Sequence, residues 1–325
     1  MLRPSLIAVL LIVAASRPLA AQQPTPQNYV SKSERARPDD EALPAQSLAL
    51  SSDATLRMTV QVKVGGQGPY AFLVDTGSER TAISRQLAAE LKLPIGAPTR
   101  VHSVLGSETV ATVNIAQLGV GNRMMSVIDA PTFEAENIGA EGILGIDALR
   151  AQRIVFDFKS REMRIAPGQV EERGQLEGDT IVVRARTRKG RLILTRARVD
   201  GIPVSVIIDT GAQVSVGNLP LMRQLQRASR ARLDLTALRA NDQNAIMESV
   251  TGQVKTVDIA RVQRLDLGGV ALTDVTVAFA SARIFNELGY EGRPAILLGI
   301  NAMRAFDKVS IDFERKRVRF VLPGA

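Results

Sequence analysis

The sequence predicts two equivalent, strand-rich lobes in one chain. Three observations carry that expectation. A five-residue word occurs twice, as Val74-Asp75-Thr76-Gly77-Ser78 and Ile208-Asp209-Thr210-Gly211-Ala212. The residues around each copy match in order on both sides. The apolar mass is Val, Leu, Ile and Ala, with 4% aromatic residues and no Trp, and the branched members of that set favour strands. At 325 residues, 45% apolar and 23% charged, the chain can bury the core of one large or two modest domains.

Missing residue types exclude whole chemistries. There is no Cys, which removes thiol catalysis, disulfides, Cys-based metal sites and a lipid-modified N-terminal Cys. His102 is the only imidazole, so a Ser-His-Asp triad or a multi-His zinc site has almost nothing to draw on. No metal and no cofactor is expected. The net charge of +8 raises nucleic acid or an anionic membrane as partners. In the densest basic stretch, Arg184, Arg186 and Arg188 share one strand face, with Lys189 and Arg191 following, and no aromatic residues interleave. A solvated strand face and no nucleic-acid partner are the expectation.

In chain order, residues 1–21 read as a secretory signal: Arg3, an apolar run from Leu6 to Ala15 too short to span a bilayer comfortably, then Ala20 and Ala21. An uncleaved N-terminal anchor is the alternative. The expectation is an exported chain, periplasmic or secreted, whose mature form has no stable membrane span. Residues 22–52, rich in Pro, Gln and charge, read as a disordered leader or propeptide. An N-terminal lobe (53–166), a polar, Gly-punctuated linker (167–178) and a C-terminal lobe (179–325) complete the layout.

Each lobe opens with a hairpin that delivers its Asp at a strand end: Met58 to Val64 and back to Val74, and Leu192 to Val199 and back to Ile208. Pro69 and Pro203 stand at equivalent positions, at an offset of 134. A short helix follows, capped by Ser84 and running through Leu91, with its counterpart starting at Asn218 and Pro220. Next come Gly-tipped stretches, Ser103 to Gly106 and Ser249 to Gly252, at an offset of 146, and a strand pair in each copy. A third shared word, Gly142-Ile143-Leu144-Gly145-Ile146-Asp147 against Ile296-Leu297-Leu298-Gly299-Ile300-Asn301, precedes a closing hairpin in both. Gly119-x-Gly121 lacks a third Gly and a following helix, so it reads as a hairpin turn.

An Asp-Thr-Gly turn on a strand end combines a carboxylate with a Gly that permits close backbone approach. If a pseudo-twofold axis relates the lobes, Asp75 and Asp209 meet, and two close carboxylates share one proton. Such a pair can take a proton from water while giving one to a carbonyl.

On these words the chain resembles the retropepsin-like, or pepsin-like, aspartic proteases: Phe72 to Ser78 with Ile143-Leu144-Gly145, and Val206 to Ala212 with Leu297-Leu298-Gly299. The resemblance covers roughly residues 55 to 322. It implies an all-β fold of two pseudo-twofold-related lobes with short helices only, and a cleft that takes an extended polypeptide. It further implies Asp75 and Asp209 as catalytic residues and Thr76 and Thr210 as an interlocking pair. Gly77, Ser78, Gly211 and Ala212 would support the loops, and Gly106 and Gly252 would be flap tips. The activity implied is that of an aspartic endopeptidase, monomeric, with a homodimer as the alternative.

Non-catalytic peptide binding on the same fold, and a lobe-swapped homodimer using one kind of Asp, are the competing readings. Ser78, replaced by Ala212 in the second copy, is expected to give Asp75 a hydroxyl donor and make it the more acidic partner. Asp147 and Asn301 are expected to cap helices, and Asp157 and Asp312 to close turns. His102 is expected at the surface or packed in the flap. Phe285 and Tyr290 are candidate cleft-wall residues.

Overall fold

The computed structural model describes residues 58–121, 123–149, 152–167, 179–231 and 243–324. It also gives the backbone of four short strands: β1 (Leu6–Ile7), β2 (Leu11–Ala14), β3 (Gln46–Ala49) and β4 (Ser51–Ser52). The rest of the expected signal and leader, residues 53–57 and linker residues 168–178 lie outside the described residues.

The fold is all-β and two-lobed, and both lobes are written in the same order. In the first, β5 (Met58–Val64) and β6 (Gln67–Val74) form the opening hairpin, followed by β7 (Ala82–Ser84). Val60, Val62 and Val64 are buried while Gln61 and Lys63 are exposed, the period-two pattern of a half-buried strand. Ser84 caps the helix Arg85–Glu90, its hydroxyl accepting from the Leu87 amide at 3.1 Å. Then come β8 (Thr99–His102) and β9 (Ser107–Val110), which form a hairpin, and the long pair β10 (Thr112–Val120) and β11 (Arg123–Phe133). The lobe ends with β12 (Gly142–Leu144), β13 (Gln152–Asp157) and β14 (Glu162–Pro167).

The second lobe runs through β15 (Thr180–Arg188), β16 (Arg191–Val199), β17 (Ile202–Ile208) and β18 (Ser215–Gly217). Helix Leu219–Ala231 follows, with Asn218 accepting from the Leu221 amide at 3.0 Å. The remaining strands are β19 (Gln243–Ser249), β20 (Val254–Asp266), β21 (Ala271–Phe279), β22 (Ala295–Leu298), β23 (Lys308–Asp312) and β24 (Arg317–Val321). Among the described residues no helix is long and apolar enough to cross a membrane.

The closing hairpins join the lobes. Strand β13 pairs antiparallel with β23, matching Val155 to Ser310, Phe156 to Val309 and Ile154 to Ile311. Val155 and Ser310 occupy the same place in the two copies, so the pseudo-twofold axis passes between them. Asp157 accepts from the Ser160 amide and Asp312 from the Arg315 amide, closing the turns as their positions suggest. Asp157 also meets Lys308 of the other lobe at 3.0 Å.

One expectation needs correction. Asp147 and Asn301 sit inside the first turn of their short helices, and Gly299 holds the N-cap position of the second. From there they tie the helix to the chain leaving the Asp loop, with Asp147 Oδ1 also accepting the first-turn Ala148 amide at 2.9 Å. Asp147 Oδ1 accepts from the amide and hydroxyl of Thr81, and Asn301 Oδ1 does the same for Ser215. Phe285 and Tyr290 pack into an aliphatic cluster with Ile193, Ile207 and Val216, and both also line an open cavity of about 460 Å³ in the second lobe with Asn218, Pro220 and Glu291.

Candidate active site

Each Asp loop is shaped by a parallel strand neighbour. Strand β12 lies parallel to β6, with Ile143 opposite Leu73 and Leu144 opposite Val74; β22 lies parallel to β17, with Leu297 opposite Ile207 and Leu298 opposite Ile208. The ladder continues into the loops: the Asp75 amide donates to the Leu144 carbonyl at 3.0 Å, and the Asp209 amide to the Leu298 carbonyl at 3.1 Å. Gly145 and Gly299 follow because a side chain has no room there. A Cβ on Gly145 would lie 2.4 Å from the Arg80 carbonyl carbon, and one on Gly299 2.7 Å from that of Val214.

The two loops interlock across the axis. The Thr76 amide donates to Thr210 Oγ1 at 3.0 Å, and the Thr210 amide to Thr76 Oγ1 at 3.1 Å. Each hydroxyl in turn donates to the opposite lobe, Thr76 to the Ile208 carbonyl at 3.1 Å and Thr210 to the Val74 carbonyl at 2.7 Å. With all four groups buried, each of these bonds contributes about 1 kcal/mol, and losing one partner strands the other in a dry interior.

This interlock sets each carboxylate over the opposite glycine. A Cβ on Gly77 would fall 2.5 Å from Asp209 Oδ1, and one on Gly211 2.3 Å from Asp75 Cγ. Both aspartates are 0% exposed. Asp75 Oδ1 accepts the Gly77 amide at 2.7 Å and the Ser78 amide at 3.0 Å, whereas Asp209 Oδ1 accepts the Gly211 amide at 3.0 Å. The Oδ2 atom of each is buried and has no hydrogen-bond partner among the described residues.

The electrostatics follow from this geometry. Burial pushes Asp75 up to about 6, opposed by the Gly77 and Ser78 amides and by Arg191. Burial and the Asp75 charge hold Asp209 well above the usual carboxylate range, opposed by Arg191 and backbone amides. Both carboxyls are raised, and they titrate as one coupled pair. The Ser78 hydroxyl donates to the Arg80 carbonyl at 2.8 Å; the Ser78 backbone amide serves Asp75 instead.

Each hairpin tip packs against the opposite lobe. Ser103 Oγ accepts from the Gly106 amide at 3.1 Å, and Gly252, at φ 75°, turns the second tip. Val104 of the first tip packs in the cluster of Ile207 and Ala212, which belong to the second lobe. Val250 of the second tip packs with Leu73, Ala82 and Ile143 of the first. His102 is buried at the base of the first tip, and burial together with Arg283 holds its imidazole toward the neutral form.

One residue of this site escaped the sequence reading. Arg184, Arg186 and Arg188 form the exposed strand face expected of them, but Arg191 is 0% exposed. Its guanidinium donates to the Gly77 carbonyl and to Glu79 of the first loop. A signal was present: Arg57 stands at the same offset of 134 in the first copy, although it lies outside the described residues.

Two lobes that deliver paired Asp-Thr-Gly loops to one axis define the class of two-repeat aspartic proteases. Residues 60–151 match a family model of gag-polyprotein aspartyl proteases, and residues 195–302 match one described as aspartyl protease. No curated protein matches the chain. The chain belongs to the aspartyl protease family, with two retropepsin-like repeats in tandem.

Proposed function

We propose that the chain is an endopeptidase in which Asp75 and Asp209 share one proton and activate a water against a peptide carbonyl. The observation that carries this is the crossed pair of buried carboxylates, each with one oxygen held by backbone amides and the other unpartnered. In the working form Asp75 is ionised and Asp209 protonated. Asp75 takes a proton from the water as its oxygen attacks the carbonyl carbon. Asp209 gives its proton to the carbonyl oxygen, yielding a neutral gem-diol. Transfer of the proton on Asp75 to the amide nitrogen, with return of a diol proton to Asp209, breaks the C–N bond and restores the pair. The aspartic-protease dyad is itself the standard example of such like-charge coupling.

The intrachain interlock of Thr76 with Thr210 supports a self-contained dyad over a lobe-swapped dimer. The direction of the two shifts supports a rate that rises through about pH 6 as Asp75 ionises and falls at higher pH as Asp209 does. The test is cleavage of a peptide library across pH by the chain and by Asp75→Asn and Asp209→Asn. Loss of turnover in both variants is expected. A parent without activity at any pH would leave peptide binding as the function.

A further inference from the structure

We propose that Arg191 is the positioning residue of the dyad: from the second lobe it clamps the first Asp loop and sets a fixed positive charge beside both carboxylates. The inference rests on the dyad reading above. Arg191 opens β16, whose hairpin with β17 leads into Asp209, so its anchor is the second lobe. Its Nε and Nη2 both donate to the Gly77 carbonyl, at 3.2 and 2.6 Å, and Nη1 donates to Glu79 Oε1 at 3.0 Å. The Gly77 carbonyl shares its peptide plane with the Ser78 amide that donates to Asp75 Oδ1, and the Gly77 Cα faces Asp209, so gripping that carbonyl fixes a plane that serves both members of the pair. A planar fork holds the carbonyl bidentately and the carboxylate on its far nitrogen in one fixed geometry, whereas an ammonium is a rotatable point charge.

The clamp is not fully neutralised. Glu79 is 26% exposed at its side chain while Arg191 is fully buried, so solvent screens the partner more than the guanidinium. The charged groups acting on the dyad are then Asp75, Asp209 and Arg191, with Glu79 behind the last. Positive charge next to two carboxylates favours ionising one of them, and removing it raises both. The second loop carries Gln213 where the first has Glu79, so the Arg191–Glu79 ion pair has no charged counterpart at that position.

The experiment compares the full chain with Arg191→Met, Arg191→Lys and Glu79→Gln in two readouts. These are the pH dependence of kcat/KM for peptide cleavage and the pH dependence of the thermal unfolding midpoint. Arg191→Met should move both limbs of the pH–rate profile upward by about one unit. Glu79→Gln should move them downward by less, because it removes a screened negative charge. Arg191→Lys should keep the limbs near their parental positions while lowering kcat, since the charge stays and the fork is lost. Limbs that stay put in both neutralising variants, or that move in the same direction, would reduce Arg191 to a structural tie and overturn the proposal. Should the parent cleave no peptide, the dyad's chemistry fails but the unfolding titration still decides: the pH at which the native state takes up its protons must rise in Arg191→Met, and an unmoved value overturns the inference.

Discussion

Replacing Asp75 by Asn should abolish hydrolysis and, at neutral pH, make the protein more stable. The folded carboxyl titrates at about 6 against 3.8 for the exposed group, a gap of about two units, and at 1.36 kcal/mol per unit this is about 3 kcal/mol. The sign follows from linkage. A carboxyl raised on folding contributes its full stability only below its unfolded value; between about 4 and 6 the unfolded chain ionises while the native one resists, and that stability is lost. Asn carries no charge into the interior and keeps a carbonyl oxygen for the Gly77 and Ser78 amides. It also removes the Asp75 charge that helps to raise Asp209, an effect of the same sign. The midpoint difference between variant and parent should be near zero below pH 4, open between 4 and 6, and level off at roughly 5–10 °C. Scanning calorimetry across that range measures it; with no Trp in the chain, intrinsic fluorescence would be a poor substitute. A difference that does not change with pH would refute the reasoning, because a carboxylate that costs nothing to bury is not held in the dry, crossed pair described above.

Two further outcomes follow from the same contacts. Ser78→Ala should leave both limbs of the pH–rate profile in place and cost about 1 kcal/mol in chemical denaturation, since its hydroxyl serves the Arg80 carbonyl rather than the dyad; a shifted acid limb would reinstate the hydroxyl as a donor to Asp75. Gly211→Ala should lose nearly all activity, because its Cβ would lie 2.3 Å from Asp75 Cγ and one of the two loops must move. Steady-state kinetics on the folded variant checks this, and near-parental turnover would mean that the loops are not locked by Thr76 and Thr210.

The repeat was legible because both copies keep the same word order, and a hairpin followed by an apolar strand and Gly leaves a pattern of local origin. Period-two burial in β5 and the caps at Ser84 and Asn218 are set by residues within a few positions of each other. What the sequence hid was settled across the fold. Arg191 looks like the end of a basic run, and only the meeting of the lobes turns it inward onto Gly77. Ser78 was credited with the wrong acceptor because the turn, not the residue type, aims its hydroxyl. Asp147 and Asn301 were read from helix position alone, while their partners Thr81 and Ser215 lie far away in the chain. Phe285 and Tyr290 serve both the core cluster of the second lobe and the wall of a cavity beside it, and composition cannot divide those two roles.

Two loops in one chain need not remain equal, and the differences here bear on a single proton. Both carboxylates are opposed by two backbone amides, Gly77 and Ser78 at Asp75 and Gly211 and Ala212 at Asp209, but the nearest one is closer at Asp75, 2.7 Å against 3.0 Å. Once Asp75 is charged, its field raises Asp209 further, and the small initial bias is amplified by the coupling itself. Arg191 adds an opposing charge to that of the backbone amides, and it does so from the lobe that carries Asp209. In an identical pair the proton would be free to sit on either side. In the proposed mechanism base and acid are assigned by the loops before any peptide arrives, which is what the fusion of two repeats into one chain makes available to a symmetric fold.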